Sequence, residues 1–297
     1  MGARVRRIIA RIKGGLGNQL FCYAAARRLA LANSADLFVD ARSGFAFDRA
    51  YDRCYLLDQF SIEAPVVSLR SSFCFPWGRL CRFVLRRASR CLPRNCRPFI
   101  EDRHNSQFEK WFMDVHPHGP VWVEGLFQSP KYFEDIQEVI RREFRVSRPL
   151  GVRAEAERAL IESQEEPVAL GIRLYQEVRR SGIHPVLSRE YYLRAAEALR
   201  SRLRKPHYFI FCNDRNWVTE HLRWPYPHTM IEPKPRNEEA YQDLWLMTAC
   251  KHFIIPNSTF HWWGAWLAAS EHKLVVAPAR GFSNRDILPP TWLKANV

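Results

Sequence analysis

The sequence predicts an α/β protein of two doubly wound, Rossmann-like domains facing each other across a cleft, and three observations lead there. A glycine-punctuated turn joins an apolar strand to a helix near the N-terminus. Apolar strands alternate with amphipathic helices through the second half. Between the halves, Pro149 and Gly151 interrupt the pattern. The boundary is placed at residue 150, giving domains 1–150 and 151–297.

Each element has its own signal. Arg7 to Ile12 reads as a strand stopped by Gly14, Gly15 and Gly17, and a helix runs from about Asn18 to Ala32. Ala35 to Val39 is the next strand. Residues 40–118, rich in Arg, Cys, Pro and aromatics, resist division. Val121 to Glu124 returns to a strand, and Lys131 to Phe144 is expected as a helix. Beyond the boundary, strands are expected over 168–174, 208–212, 253–256 and 274–277, with helices over 188–203, 237–250 and 258–269. Ligands of open α/β sheets bind beyond the carboxyl ends of the strands. Three polar segments fall there: Gly14 to Gln19, Asn213-Asp214, and Asn257-Ser258-Thr259.

The bulk numbers narrow the partners. A chain of 297 residues with 47% hydrophobic and 13% aromatic residues supports a packed interior. No apolar run is long enough to span a bilayer, and the basic N-terminus has too short an apolar stretch for a secretory signal. The expected location is therefore the cytoplasm. The eight cysteines show no C-x-x-C pair, so neither a zinc site nor a disulfide framework is favoured. The net charge of +14 implies anionic partners. It is concentrated between Glu63 and Glu101, where no acidic residue occurs and Arg70, Arg79, Arg82, Arg86, Arg87, Arg90, Arg94 and Arg97 all fall. Arg79, Arg82, Arg86 and Arg90 recur at helical spacing, with Leu80, Val84, Ala88 and Leu92 on another face. Two readings stand: an amphipathic segment at an anionic membrane surface, placed over 70–97, or a helix packed on the protein with a solvated basic face. No nucleic-acid-binding motif accompanies the charge.

The motifs sharpen this. GGLGNQLF (14–21) lacks the G-x-G-x-x-G spacing because Leu20 stands at the third position, so alone it is equally a tight strand-to-helix turn. As a ligand site, Gly15 and Gly17 would admit close backbone approach, and Asn18 and Gln19 would offer amides at the helix start. In NSTFHWWGAWL (257–267), Asn257, Ser258 and Thr259 gather hydroxyls and backbone N–H groups at a helix start, a cradle for a diphosphate. Simple N-capping by Ser258 is compatible with that use. Trp262, Trp263 and Trp266 read as packing.

With WVEGLFQSPKYF (122–133) and DLWLMTACKHFIIPNSTFHWWGAWL (243–267), these blocks resemble glycosyltransferase family 11, the α-1,2-fucosyltransferase family, in that family's order. The resemblance implies a GT-B-type fold, GDP-β-L-fucose as donor bound by the second domain, a glycan acceptor on the first, no cofactor or metal, and transfer with inversion to an α-1,2-fucoside. One departure bears on the site. Where the family carries H-x-R-R-x-D, this chain has Gly171-Ile172-Arg173-Leu174-Tyr175-Gln176, retaining only the first Arg. By resemblance Arg173 grips the β-phosphate, and a guanidinium suits that task because it pairs two phosphate oxygens at once. Arg179 and Arg180 lie just downstream. The general base has three candidates: Glu177, His184 and Glu124. Other readings are a different GDP-sugar donor, another linkage, or a non-catalytic glycan- or membrane-binding protein on the same fold. A basic stretch without a membrane anchor would suit a lipid-linked acceptor.

Overall fold

The structure, a computed structural model, describes residues 7–46, 48, 53–174, 187–234 and 239–296. The chain forms two compact units. The first comprises Met1–Ser147 with Ser283–Ile287, and the second Arg148–Phe282 with Leu288–Val297.

Unit 1 is built on a parallel four-stranded sheet. Strand β1 (Arg7–Arg11) leads through the glycine turn into helix α1 (Leu16–Ala32), which returns to β2 (Asp36–Asp40). Helix α2 (Gly78–Ser89) and the short β3 (Phe99–Glu101) follow, then β4 (Val121–Glu124) and α3 (Gln137–Glu143). The sheet order is β2-β1-β4-β3, all parallel. Helix α1 is apolar along most of its length, and Leu20, Phe21, Tyr23 and Leu29 are buried together with Ala24, Ala25, Ala26 and Ala30. The sequence suggested one helix over 131–144. Instead, Ser129-Pro130 opens two short 3₁₀ turns, Pro130–Tyr132 and Glu134–Ile136, before α3 begins.

Unit 2 opens with α4 (Val152–Glu162) and β5 (Glu166–Ile172). Then come α5 (Arg189–Arg200), β6 (Pro206–Cys212), the single turn α6 (Arg215–Trp217) and β7 (His228–Met230). Helix α7 (Ala240–Met247), β8 (His252–Ile254), α8 (Thr259–Leu267), β9 (Val275–Pro278) and β10 (Leu293–Ala295) complete it. The order is β10-β9-β8-β5-β6-β7, again parallel throughout. The central strands are buried on both faces, which is why Val168–Ile172 and Tyr208–Phe211 are continuous apolar runs and not alternating ones. Helix α5 buries Tyr191, Tyr192, Ala195, Ala196 and Leu199 at helical spacing. As the sequence implied, Trp262, Trp263 and Trp266 pack in the interior. Trp262 and Trp263 meet edge to face at 5.0 Å. All eight cysteines are free thiols.

Two findings differ from the sequence reading. A division at residue 150 takes no account of Ser283–Ile287, which belongs with unit 1. Asp286 holds it there: its carboxylate accepts from Lys131 Nζ at 2.6 Å and from the Phe108 amide at 2.9 Å, while its carbonyl accepts from Ser129 Oγ. The second concerns α2. Its basic face turns inward and its apolar face outward, the reverse of a packed helix with a solvated basic side. The cause is a set of carboxylates at strand ends. Arg82 is buried and donates to Glu124 Oε1 through Nε (2.9 Å) and Nη2 (2.6 Å), and its Nη1 reaches Ser43 Oγ at 2.6 Å and Asp40 at 3.5 Å. Arg86 and Arg90 pair with Glu101 at 3.1 and 3.2 Å. No described helix is long and apolar enough to cross a membrane.

Candidate functional site

In each sheet the chain runs one way from its first strand and later returns to the other side, which opens a crevice at the carboxyl ends of the two strands where the order switches. In unit 1 these are β1 and β4, and in unit 2 they are β5 and β8.

At the unit 1 switch point, Gly14 adopts φ +79°, a left-handed conformation, and a Cβ there would come within 2.8 Å of the Asn18 amide nitrogen. The glycine requirement thus lies one residue before the predicted Gly15, where a side chain would meet open space. Gly17 is buried in the first turn of α1. Asn18 Oδ1 accepts from Gln128 Nε2 at 2.8 Å. Gln19 is not placed to bind a donor. It is fully buried, donates from Nε2 to the carbonyls of Gly14 (2.9 Å) and Cys54 (2.8 Å), and accepts from the Leu56 amide. It braces the turn against the 54–56 segment. Glu124, a candidate base, ends β4 with Oε1 held by Arg82 and Oε2 only 3.6 Å from Arg86 Nη1. This carboxylate, 5% exposed, anchors α2. A cavity of about 460 Å³ opens beside β3, lined among others by Arg94, Glu101, Arg103, Glu109 and Trp111.

At the unit 2 switch point, Arg173 follows β5 directly, between the ends of β8 and β6 in the sheet order, and is half-buried. Asn213, at the end of β6, is exposed. Its side chain clamps the backbone next to Arg173, accepting from the Leu174 amide at 2.9 Å and donating to the Leu174 carbonyl at 3.2 Å. Asp214 caps the following turn by accepting from the Trp217 amide. Both predicted donor-binding side chains are therefore engaged with backbone, Asn213 with the segment after β5 and Asp214 with the turn after β6. Beyond β8, Tyr191 OH donates to the Ile255 carbonyl at 2.6 Å and fixes the approach to Asn257, whose Nδ2 donates to the Gly281 carbonyl at 3.3 Å. Ser258 occupies the N-cap position of α8 with extended backbone, yet its side chain makes no cap bond, so simple capping does not account for it. Thr259 begins the helix. The first-turn N–H groups of any helix lack intrahelical acceptors, and α8 has no acidic residue in that turn. Its positive end lies beside Arg173 across the β5/β8 edge. Glu177, His184, Arg179 and Arg180 lie outside the described residues. Among the described residues no group of His, Cys, Asp and Glu is arranged to hold a metal ion.

One residue at this edge went unnoticed in the sequence. His261, in the first turn of α8, is buried against Gly171. A Cβ on Gly171 would lie 2.8 Å from the ring Cγ and 2.9 Å from Nε2. Burial, reinforced by the charge of Arg173, pushes His261 down to about 3, against the effect of a hydrogen bond to the Phe211 backbone. The ring is thus neutral at physiological pH, and Nδ1 has no hydrogen-bond partner among the described residues. A glycine inside a strand marks a place where something approaches closely, and that was the available signal.

Residues 100–293, well over half of the chain, match the profile of Glycosyl transferase family 11. The chain belongs to glycosyl transferase family 11. Among curated relatives of this family member, an α-1,2-colitosyltransferase of Escherichia coli is 25% identical over 97% of this chain and 98% of its own. Galactoside α-(1,2)-fucosyltransferase 1 of Rattus norvegicus is 24% identical over 87% of this chain and 62% of its own length. Among solved structures, NodZ α-1,6-fucosyltransferase soaked with GDP-fucose superposes with a TM-score of 0.53 at 16% identity, covering 89% of this chain and 93% of that one. At that identity the likeness concerns the fold, which is the α/β GT-B type with two Rossmann-like units.

Proposed function

We propose that this family 11 glycosyltransferase moves L-fucose from GDP-β-L-fucose to a glycan hydroxyl with inversion, forming an α-1,2 linkage. The observation that carries the reading is the placement of Arg173 beside the N-terminus of α8, which has no acidic residue in its first turn, at the β5/β8 switch point. Both present positive charge where a diphosphate would lie. In the reaction, the acceptor oxygen attacks the anomeric carbon, the bond from that carbon to the β-phosphate oxygen breaks, and the acceptor proton passes to a base. Negative charge grows on the departing GDP, and Arg173 and the helix terminus stabilise it in place of a metal ion, so the reaction needs no cofactor. Asn257, Ser258 and Thr259 complete the phosphate cradle, and Asn213 positions Arg173 through the Leu174 backbone. Glu177 and His184 are the base candidates. Unit 1 receives the acceptor, and its cavity beside β3 offers an indole, carboxylates and guanidinium groups suited to a sugar.

A second donor is favoured by a specific observation, the near full-length match to a colitosyltransferase. Colitose is fucose without the 3-hydroxyl, so the same diphosphate grip serves both sugars. Calorimetric titration with GDP-fucose, GDP-colitose, GDP-mannose and UDP, with and without EDTA, followed by GDP release, separates the readings. GDP-fucose is expected to bind best, indifferent to EDTA. A preference for GDP-colitose would replace the donor, and a folded protein that binds no guanine nucleotide would overturn the enzymatic reading. Arg173→Ala is expected to cut turnover by about a hundredfold or more while the fold is kept. Near-normal turnover would remove Arg173 from its role.

A further inference from the structure

Helix α2 exposes what soluble helices normally bury. Its inward side is occupied by Arg82 and Ser89, while Leu80 (55% exposed), Phe83 (51%) and Val84 (53%) project outward. Their spacing of three and four residues makes them one face, and Trp77, 79% exposed one turn earlier, extends it. Apolar surface that gathers on one helix and is not covered by the fold marks an interaction site. The arrangement is enforced from below, because turning the apolar face inward would leave Glu124 and Asp40 buried without Arg82.

The charge around this face selects the partner. Arg87 lies among the exposed apolar residues, and Arg70 is exposed in the turn ahead of the helix. The whole stretch from 64 to 100 has no acidic residue. A second copy of the chain would set one ring of arginines against another. An anionic bilayer neutralises them and takes up the apolar side chains. We propose that α2 is an interfacial helix that seats the protein on an anionic lipid surface. Trp77, Leu80, Phe83 and Val84 enter the boundary between headgroups and acyl chains. Arg87 and Arg70 extend to the lipid phosphates, as long basic side chains and tryptophan do at such boundaries. The lipid contact is therefore made by the face opposite the buried Arg82, and the basic residues contribute only from its rim.

Sedimentation of the full chain with phosphatidylcholine vesicles, with and without phosphatidylglycerol, at low and high salt, tests this. Binding is expected only with phosphatidylglycerol, and weaker at high salt. The triple variant Leu80→Ser, Phe83→Ser, Val84→Ser is expected to lose about tenfold or more in vesicle affinity while its GDP affinity is unchanged. Arg70→Glu with Arg87→Glu, which leaves the apolar face intact, is expected to abolish the preference for anionic vesicles. If the triple variant fails to fold, Phe83→Ser alone is expected to show a smaller loss in the same direction. Failure of the native chain to sediment with anionic vesicles at low salt would overturn the proposal, as would serine variants that bind as the native chain does. Concentration-dependent dimerisation abolished by the triple variant, without vesicle binding, would assign the face to a second copy instead.

Discussion

Replacing Gly171 by alanine adds one methyl group at a point where the structure leaves no room for it. The new carbon would lie 2.8 and 2.9 Å from Cγ and Nε2 of His261, well inside van der Waals contact. The backbone cannot retreat, because β5 is paired on both sides, Gly171 lying opposite Phe211 and Leu170 opposite Ile254. The ring cannot swing away without giving up its bond to the Phe211 backbone and disturbing buried neighbours. Overpacking of this kind costs about 1–3 kcal/mol, and a lost hydrogen bond adds about 1 kcal/mol. Alanine's restriction of the unfolded chain returns roughly 0.5–1 kcal/mol. The net expectation is a loss of about 2 kcal/mol, or a fall in Tm of roughly 4–8 °C for a domain of this size. Urea unfolding followed by tryptophan fluorescence reads it directly, since Trp262 and Trp263 neighbour His261 in α8. The decisive comparison adds His261→Ala. Alone, that change opens a cavity and costs about 2–4 kcal/mol. Combined with Gly171→Ala, the new methyl enters the vacated space, so the double variant should fall short of the sum by about 1 kcal/mol or more. Strict additivity, or a Gly171→Ala protein as stable as the native one, would refute the reasoning.

Two further predictions concern buried charge. His261 is held down to about 3 in the folded protein against an ordinary 6.5, so below pH 6.5 the unfolded chain takes up a proton that the folded chain refuses. Stability from this source is intact above pH 6.5 and falls by about 1.4 kcal/mol for each pH unit below it, down towards pH 3. Urea midpoints measured between those limits should fall less steeply for His261→Gln than for the native protein, and parallel profiles would show that the ring is not buried neutral. Glu124→Gln should destabilise by about 2–3 kcal/mol, because the buried Arg82 would lose the carboxylate it donates to twice and keep only Ser43 and the more distant Asp40, and the pH profile of transfer should keep its shape. An unchanged unfolding midpoint with an altered pH profile would restore Glu124 as a base.

Much of unit 2 was legible because strands buried on both faces are written as unbroken apolar runs, and the intervening helices carry their own spacing. Strands β3, β7 and β10 were not, since three residues hold no period and, unlike β8 with Phe253-Ile254-Ile255, none of them sits in an apolar run that a following helix signal sets off. The glycine turn was readable as a turn, but not that Gln19 spends its amide on Gly14, Cys54 and Leu56, because the two partners beyond the turn lie more than thirty residues away in sequence. The same limit hid the orientation of α2. Its arginine spacing was plain, but the partners that draw it inward, Asp40 and Glu124, are each 42 residues from Arg82. In the candidate site, the Asn257–Thr259 segment was legible from its place after an apolar strand, whereas Arg173 was picked out only through the family's H-x-R-R-x-D motif. His261 was not legible, because a histidine beside two tryptophans reads as one more packing residue until the strand opposite is known to carry Gly171.

The placement of Asp286 bears on how such proteins can exchange parts. The chain enters unit 2 after Ser147, returns to unit 1 for Ser283–Ile287, and leaves again. A single recombination event near residue 150 would therefore separate Lys131, Ser129 and the Phe108 amide from the aspartate that joins them. The hybrid would place at that site whatever residue its other parent carries. Swapping the two halves between relatives thus demands either three junctions or a second parent that already supplies a carboxylate at that position. Recombination of this chain with another is in this sense constrained by five residues near the C-terminus as much as by the boundary itself.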